Sequence, residues 1–148
     1  MSSLLAHIKI VEGQEAKFEE LSKELYKQSI NNTEEFWDKV AKRIDWKKPY
    51  ENIKEVNFSN KVSIKWFLKG ELNVCHNCID RHLQTKGDKI AILWEGDNPK
   101  DSKKITYKEL YREVCKFSNV LKNQGIKKGD CVTIYLPMIP EAAIAMLA

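Results

Sequence analysis

The chain has 148 residues, enough for one domain with a sizeable core. Hydrophobic residues make up 43% and charged residues 31%, with 25 basic and 21 acidic side chains interleaved to a net charge of +4. That mild excess forms no basic block, which argues against a nucleic-acid partner, and no apolar run approaches the roughly 20 residues needed to cross a bilayer, which argues against a membrane one.

The opening stretch, "MSSLLAHIKIVEG", lacks the basic segment of a secretory signal. Four cysteines without such a signal predict reduced thiols in a cytoplasmic protein. Residues 4 to 11, "LLAHIKIV", read as a short strand. Residues 15 to 28 place Phe18, Leu21 and Leu25 at helical spacing. Thr33 is the expected cap of a second helix, with Glu34 and Glu35 in the first turn, where the helix dipole favours acids. Phe36, Val40 and Ile44 form its apolar stripe, flanked by Trp37.

Between residues 45 and 70 the periodicity dissolves into aromatics mixed with charge. Aromatics this dense are costly to leave in water, so the stretch reads as an extended segment wrapped on a larger body. Asn73 then caps a single expected helix, "VCHNCIDRHLQTK", ended by Gly87. "KIAILWE" is a strand, "GDNPKDSKK" a turn, and "KIT" a short strand returning antiparallel.

The clearest unit starts at Thr106, where "TYKEL" matches a capping box of Thr106 and Glu109. The helix that follows should bury Leu110, Val114, Phe117 and Leu121 and end at Gly125. "CVTIYLP" reads as a buried strand stopped by Pro137, and Pro140 suits the first turn of the helix "PEAAIAMLA". This alternation predicts an α/β layer fold with a partly parallel sheet. The last helix is apolar nearly all round and needs cover on every side. The expectation is therefore an N-terminal piece of a longer protein.

The motif most suggestive of chemistry is "LNVCHNCIDRHL". Cys75, Cys78 and His82 stand at i, i+3 and i+7, one face of a single helix. A closed zinc site needs four ligands, usually from two elements. His76, Cys115 and Cys131 are the available fourths, and none brings a second paired ligand. A redox reading needs a helix N-terminus to lower a thiol pKa, and Cys75 lies near one. The third reading, which the spacing favours, is a half-buried helix with small thiols facing the core. Haem attachment fails, because Ile79 follows Cys78 where a histidine is required.

Other constellations are thin. Six isolated glycines, Gly13, Gly70, Gly87, Gly96, Gly125 and Gly129, provide no phosphate-cradling loop. "WEGD", residues 94 to 97, reads as a hairpin turn. Asp80 and His82 are two apart on the expected helix and do not face each other. "KNQGIKKGD", residues 122 to 130, reads as a solvated basic loop.

Three runs nevertheless belong together: "EFWDKVAKRIDWKKPY", then the stretch from "KWFLKGELNVCHNCIDRHL" through "WEGD" and "ITYKEL" to "IKKGD", and finally "VTIYLPMIPEAAIAMLA". From about residue 26 to 148 the sequence resembles AMP-forming acetyl-CoA synthetase, of the adenylate-forming superfamily. The resemblance implies a ligase that converts acetate, ATP and CoA to acetyl-CoA, AMP and pyrophosphate through an acetyl adenylate. A same-family ligase acting on propionate or 3-hydroxypropionate is the nearest alternative; a small zinc or redox module built on Cys75, Cys78 and His82 is the other. The resemblance implies an N-terminal extension over residues 1 to 70 and the start of the AMP-binding large domain over residues 71 to 148. ATP, Mg²⁺ and coenzyme A are implied for the full-length enzyme. Their motifs match no position here, so no catalytic, cofactor-binding or metal-binding residue is assigned. The resemblance also makes the "NCIDRHL" helix a packing element without zinc.

Overall fold

The computed structural model describes residues 15–148 apart from Asn60 and Pro99. The strand expected over residues 4 to 11 lies outside the described residues. The chain divides into two compact units, Met1–Glu71 and Leu72–Ala148.

In the first unit, helix α1 (Glu15–Asn31) is followed after one residue by α2 (Thr33–Ala41). On α1 the half-buried residues Leu21, Leu25 and Ser29 repeat every four positions and so line one face, while Phe18 stays 41% exposed. Thr33 does not cap α2. Its hydroxyl donates to the Ile30 carbonyl at 3.0 Å, and Asn32 occupies the cap position without a side-chain bond. The preceding helix runs so close that its last turn offers the hydroxyl an acceptor, and this competes with capping. Ion pairs Glu35–Lys39 and Asp38–Lys42 line the exposed face of α2.

Residues 45 to 70, read above as one extended segment, are organised into strands. They form β1 (Trp46–Lys48), β2 (Asn52–Asn57) and β3 (Ser63–Leu68), and the two-residue β4 (Glu71–Leu72) comes just after them. Strands β2 and β3 pair antiparallel, with Lys54 opposite Trp66 and Val56 opposite Ile64. The aromatics pack against one another: Trp46 lies 5.0 Å from Tyr50 and 5.4 Å from Phe67, and Tyr50 lies 5.2 Å from Phe67. Trp37 of α2 meets Trp66 edge-on at 5.8 Å. The Trp46 indole N–H donates to the Ala41 carbonyl at 3.0 Å. Gly70 is required by this cluster, since a Cβ there would stand 2.7 Å from Trp46 Cζ3.

The second unit begins with Asn73, whose Oδ1 accepts from the His76 amide at 2.8 Å. The cap is as expected; the single helix is not. Helix α3 (Val74–Cys78) stops at Ile79, where φ is −123° and ψ −65°. A 3-10 turn (Asp80–His82) and the short helix α4 (Leu83–Lys86) follow. Ile79 is completely buried, so the break turns an apolar side chain into the core where a straight helix would carry it round. Helix α4 ends before Gly87 as expected.

β5 (Ile90–Glu95) and β6 (Ser102–Thr106) form the expected antiparallel hairpin, with Ile92 opposite Ile105 and Trp94 opposite Lys103. "WEGD" is its turn: the Gly96 amide donates to the Asp101 carbonyl at 2.7 Å. Helix α5 (Tyr107–Asn123) carries the complete capping box. The Thr106 hydroxyl accepts from the Glu109 amide at 3.2 Å and the Thr106 amide donates to Glu109 Oε2 at 2.8 Å. Leu110 and Val114 are buried with Ile79 as the core, while Phe117 and Leu121 are half-buried. Helix α6 (Pro140–Leu147) starts at Pro140, and the Ser118 hydroxyl donates to the Ala148 carbonyl at 2.7 Å.

Hydrogen bonds from Thr106 hold the Glu109 carboxyl below the usual glutamate range. A carboxylate with a depressed folded pKa stabilises above its unfolded value, and the contribution fades as pH falls through the folded one. Thr106→Ala is expected to cost about 1 kcal/mol at neutral pH, and less below the glutamate range. Urea titrations at the two pH values check this.

One expected element is missing. Residues 131 to 137 form no strand, and Tyr135 is 98% exposed, Leu136 47%. A strand needs a ladder partner for its N–H and C=O groups. Among the described residues of this unit, β5 and β6 satisfy each other and none pairs with 131 to 137. The expected parallel pairing is accordingly not formed there. A single side-chain bond fixes the following bend, from the Trp94 indole N–H to the Met138 carbonyl at 2.8 Å.

Candidate functional site

The break at Ile79 decides what the cysteine motif can do. Cys75 lies in α3, half-buried; Cys78 at its end is exposed. His82 falls in the 3-10 turn, with its ring 5.6 Å from that of Tyr107. The face assumed for a continuous helix does not exist. Among the described residues no group of three or more His, Cys, Asp or Glu side chains is placed to hold a metal ion. This removes the geometric basis of a zinc module on Cys75, Cys78 and His82.

Cys75 instead lines a cleft of about 590 Å³ within the second unit. Asn73 and Asp80 line it from the same stretch of chain, and Tyr111, Cys115 and Ser118 from α5. Burial, then the Asp80 charge, then the thiols of Cys115 and Cys78 push the Cys75 thiol pKa up. That is the reverse of an activated, electropositive thiol. Helix α3 has only five residues and too small a dipole to offset the desolvation. The neighbouring Cys115 thiol is the chief cause that pushes the Tyr111 phenol pKa up. Sequence reasoning missed Tyr111 and Ser118. Their spacing of four before and three after Cys115 on a helix was the available signal.

Nucleotide phosphates and Mg²⁺ do not fit this cleft. Asp80 is the one carboxylate among its lining residues and Lys122 the one cation. The basic loop of residues 122 to 130 offers no cradle either. Gly125 and Gly129 take positive φ, 84° and 100°, yet the Lys127 amide is taken by Asp130 Oδ2 at 2.7 Å and the Asp130 amide by the Lys127 carbonyl at 3.0 Å.

Comparison with known proteins decides what such a scaffold belongs to. Residues 22–78 match the family model described as the acetyl-coenzyme A synthetase N-terminus, and residues 79–148 the model of AMP-binding enzymes. The chain belongs to the acetyl-CoA synthetase family. It is 58% identical over 135 residues to the acetyl-coenzyme A synthetase of Bdellovibrio bacteriovorus, covering 90% of this chain and 20% of that relative. With the enzyme of Mesorhizobium japonicum it shares 63% over 123 residues, 83% of this chain and 19% of the relative. Among solved structures, acetoacetyl-CoA synthetase from Streptomyces lividans superposes with a TM-score of 0.72 at 28% identity, over 82% of this chain and 18% of that one. The chain thus spans about a fifth of the length of its acetyl-CoA synthetase relatives. The two matched models meet at Cys78 and Ile79, the same point at which α3 breaks.

Proposed function

We propose that this chain is the N-terminal portion of an acetate–CoA ligase that forms acetyl-CoA, AMP and pyrophosphate from acetate, ATP and CoA through an acetyl adenylate. The observation that carries this is the identity of 58–63% to acetyl-coenzyme A synthetases. Acetate is taken as the acyl acid from the names of those relatives. Residues 1 to 70 act as an N-terminal extension and residues 71 to 148 open the AMP-binding large domain. In this reading the chain contributes scaffold. The family's reaction needs groups that steady phosphates and polarise the carboxyl, and the cleft residues have neither the charge nor the amides for it. ATP, Mg²⁺ and coenzyme A are held by polypeptide other than these residues. The cytoplasm, where thiols stay reduced, suits the four unpaired cysteines.

The 148-residue chain by itself is expected to show no release of pyrophosphate above background with acetate, ATP, Mg²⁺ and CoA in a coupled assay. Acetate-dependent turnover by the isolated chain would overturn the scaffold assignment.

A further inference from the structure

Residues 131 to 137 have the composition of a strand but do not form one. Among the described residues, no backbone hydrogen bond joins residues 131–136 to another backbone group. Val132, Ile134 and Leu136 are 43%, 40% and 47% exposed, against 98% for Tyr135. The side chains thus fall on two unequal faces, as they do along a strand. Both ends of the run are held. Before it, the Asp130 amide donates to the Lys127 carbonyl at 3.0 Å. After it, the Trp94 indole N–H donates to the Met138 carbonyl at 2.8 Å. No charged residue stands between Asp130 and Glu141.

We propose that this run is a docking edge, and that its occupant is an extended apolar segment of the same ligase, from polypeptide other than residues 1–148, which adds to it as a neighbouring strand. The occupant rests on the ligase reading above. An edge with unpaired N–H and C=O groups and fixed ends takes up a strand through main-chain bonds, with alternate side chains setting the fit. The uncharged run calls for an apolar segment, because a charge laid against it would lose water and gain no partner. The chain spans about a fifth of the length of its relatives, so their remainder supplies polypeptide for this role. A second copy of the chain is the weaker occupant. Two such short runs make a two-stranded ladder, which is marginal in water. They also bury far less than the roughly 1,200 Å² of a stable interface. A segment on the same polypeptide meets the edge at high effective concentration and needs no such area.

Amide hydrogen exchange tests this, first on the 148-residue chain and then on a chimera in which residues 26 to 148 replace the matching stretch of the Mesorhizobium japonicum enzyme. In the chain alone, the amides of Val132 to Leu136 are expected to exchange within about tenfold of the unprotected rate. In the chimera they are expected to slow by at least about a further hundredfold. Ile134→Pro removes one ladder donor. It should leave the melting temperature of the chain alone unchanged and lower that of the chimera. The aligned stretch of the parent Mesorhizobium japonicum enzyme gives the same exchange measurement without depending on how the chimera folds. Strong protection in the chain alone, protection that grows with its concentration, or fast exchange in the folded chimera or the parent would overturn the docking edge. Protection of the run in a folded but inactive chimera would keep the edge and count against the ligase reading, so the two failures are distinguishable.

Discussion

Ile79→Ala is expected to destabilise the second unit by about 2–5 kcal/mol, the range for removing a fully buried isoleucine side chain. Ile79 is completely buried and forms one buried apolar cluster with Leu110 and Val114. In a core this small the neighbours come from α3, α4 and the hairpin at once: Cys75, Leu83, Ile92 and Ile105 all pack on it. The cavity cannot close without moving several elements, so the loss should fall at the upper end of the range. A loss of this size is a large fraction of a small domain's total stability. Hydrogen exchange of the α5 amides is the suitable readout, because that helix contributes two of the three core residues. Protection lowered by less than tenfold would contradict the assignment of Ile79 as the keystone of this unit.

Trp46→Ala is expected to have a comparable effect on the first unit, about 3–5 kcal/mol. Trp46 touches both Tyr50 and Phe67, and its indole N–H satisfies the Ala41 carbonyl. Truncation removes the ring contacts and one of the two hydrogen bonds that the Ala41 carbonyl accepts, the other coming from the Ile44 amide. The first unit has one residue classed as buried among those described, Ala41, so the aromatic cluster is most of its apolar interior. Trp46→Phe keeps much of the ring contact and loses the hydrogen bond. It should therefore cost clearly less than Trp46→Ala. Denaturant titration followed by far-ultraviolet circular dichroism separates the two variants, and equal losses would show that ring packing is not what holds the hairpin.

Local chemistry was legible in the sequence wherever one rule acted alone. The Thr106–Glu109 box, the Asn73 cap, the β5–β6 hairpin and the stripe of Leu110 and Val114 needed only short-range pattern. What failed depended on neighbours. Thr33 found an acceptor in the helix just before it. The aromatic stretch of residues 45 to 70 hid a hairpin because buried and exposed positions do not alternate strictly along β2 and β3, so the period-two mark of a strand is missing. Ile79 broke a segment whose periodicity read as one helix, because burying that side chain outweighs the continuity of the helix. The apolar run of residues 131 to 137 shows the opposite case. Its composition is that of a buried strand, but strand formation depends on a partner the run does not itself supply.

The candidate site was legible only in part. The sequence brought Cys75, Cys78 and His82 together by assuming a straight helix, and the fold separates them. It gave no hint that Cys75 and Cys115, forty positions apart, line one cleft. The family was legible throughout, because its signature is an ordered series of short motifs and needs no three-dimensional assumption.

If this chain supplies the opening scaffold of an acetate-activating ligase, it should work in place of the matching stretch of a relative. The most direct measurement replaces the matching fifth of the Mesorhizobium japonicum acetyl-coenzyme A synthetase with residues 26 to 148 and follows acetate-dependent exchange of labelled pyrophosphate into ATP. Exchange within about tenfold of the parent enzyme is expected, a barrier change of about 1.4 kcal/mol or less. A chimera that folds and melts like the parent yet catalyses no exchange would contradict it.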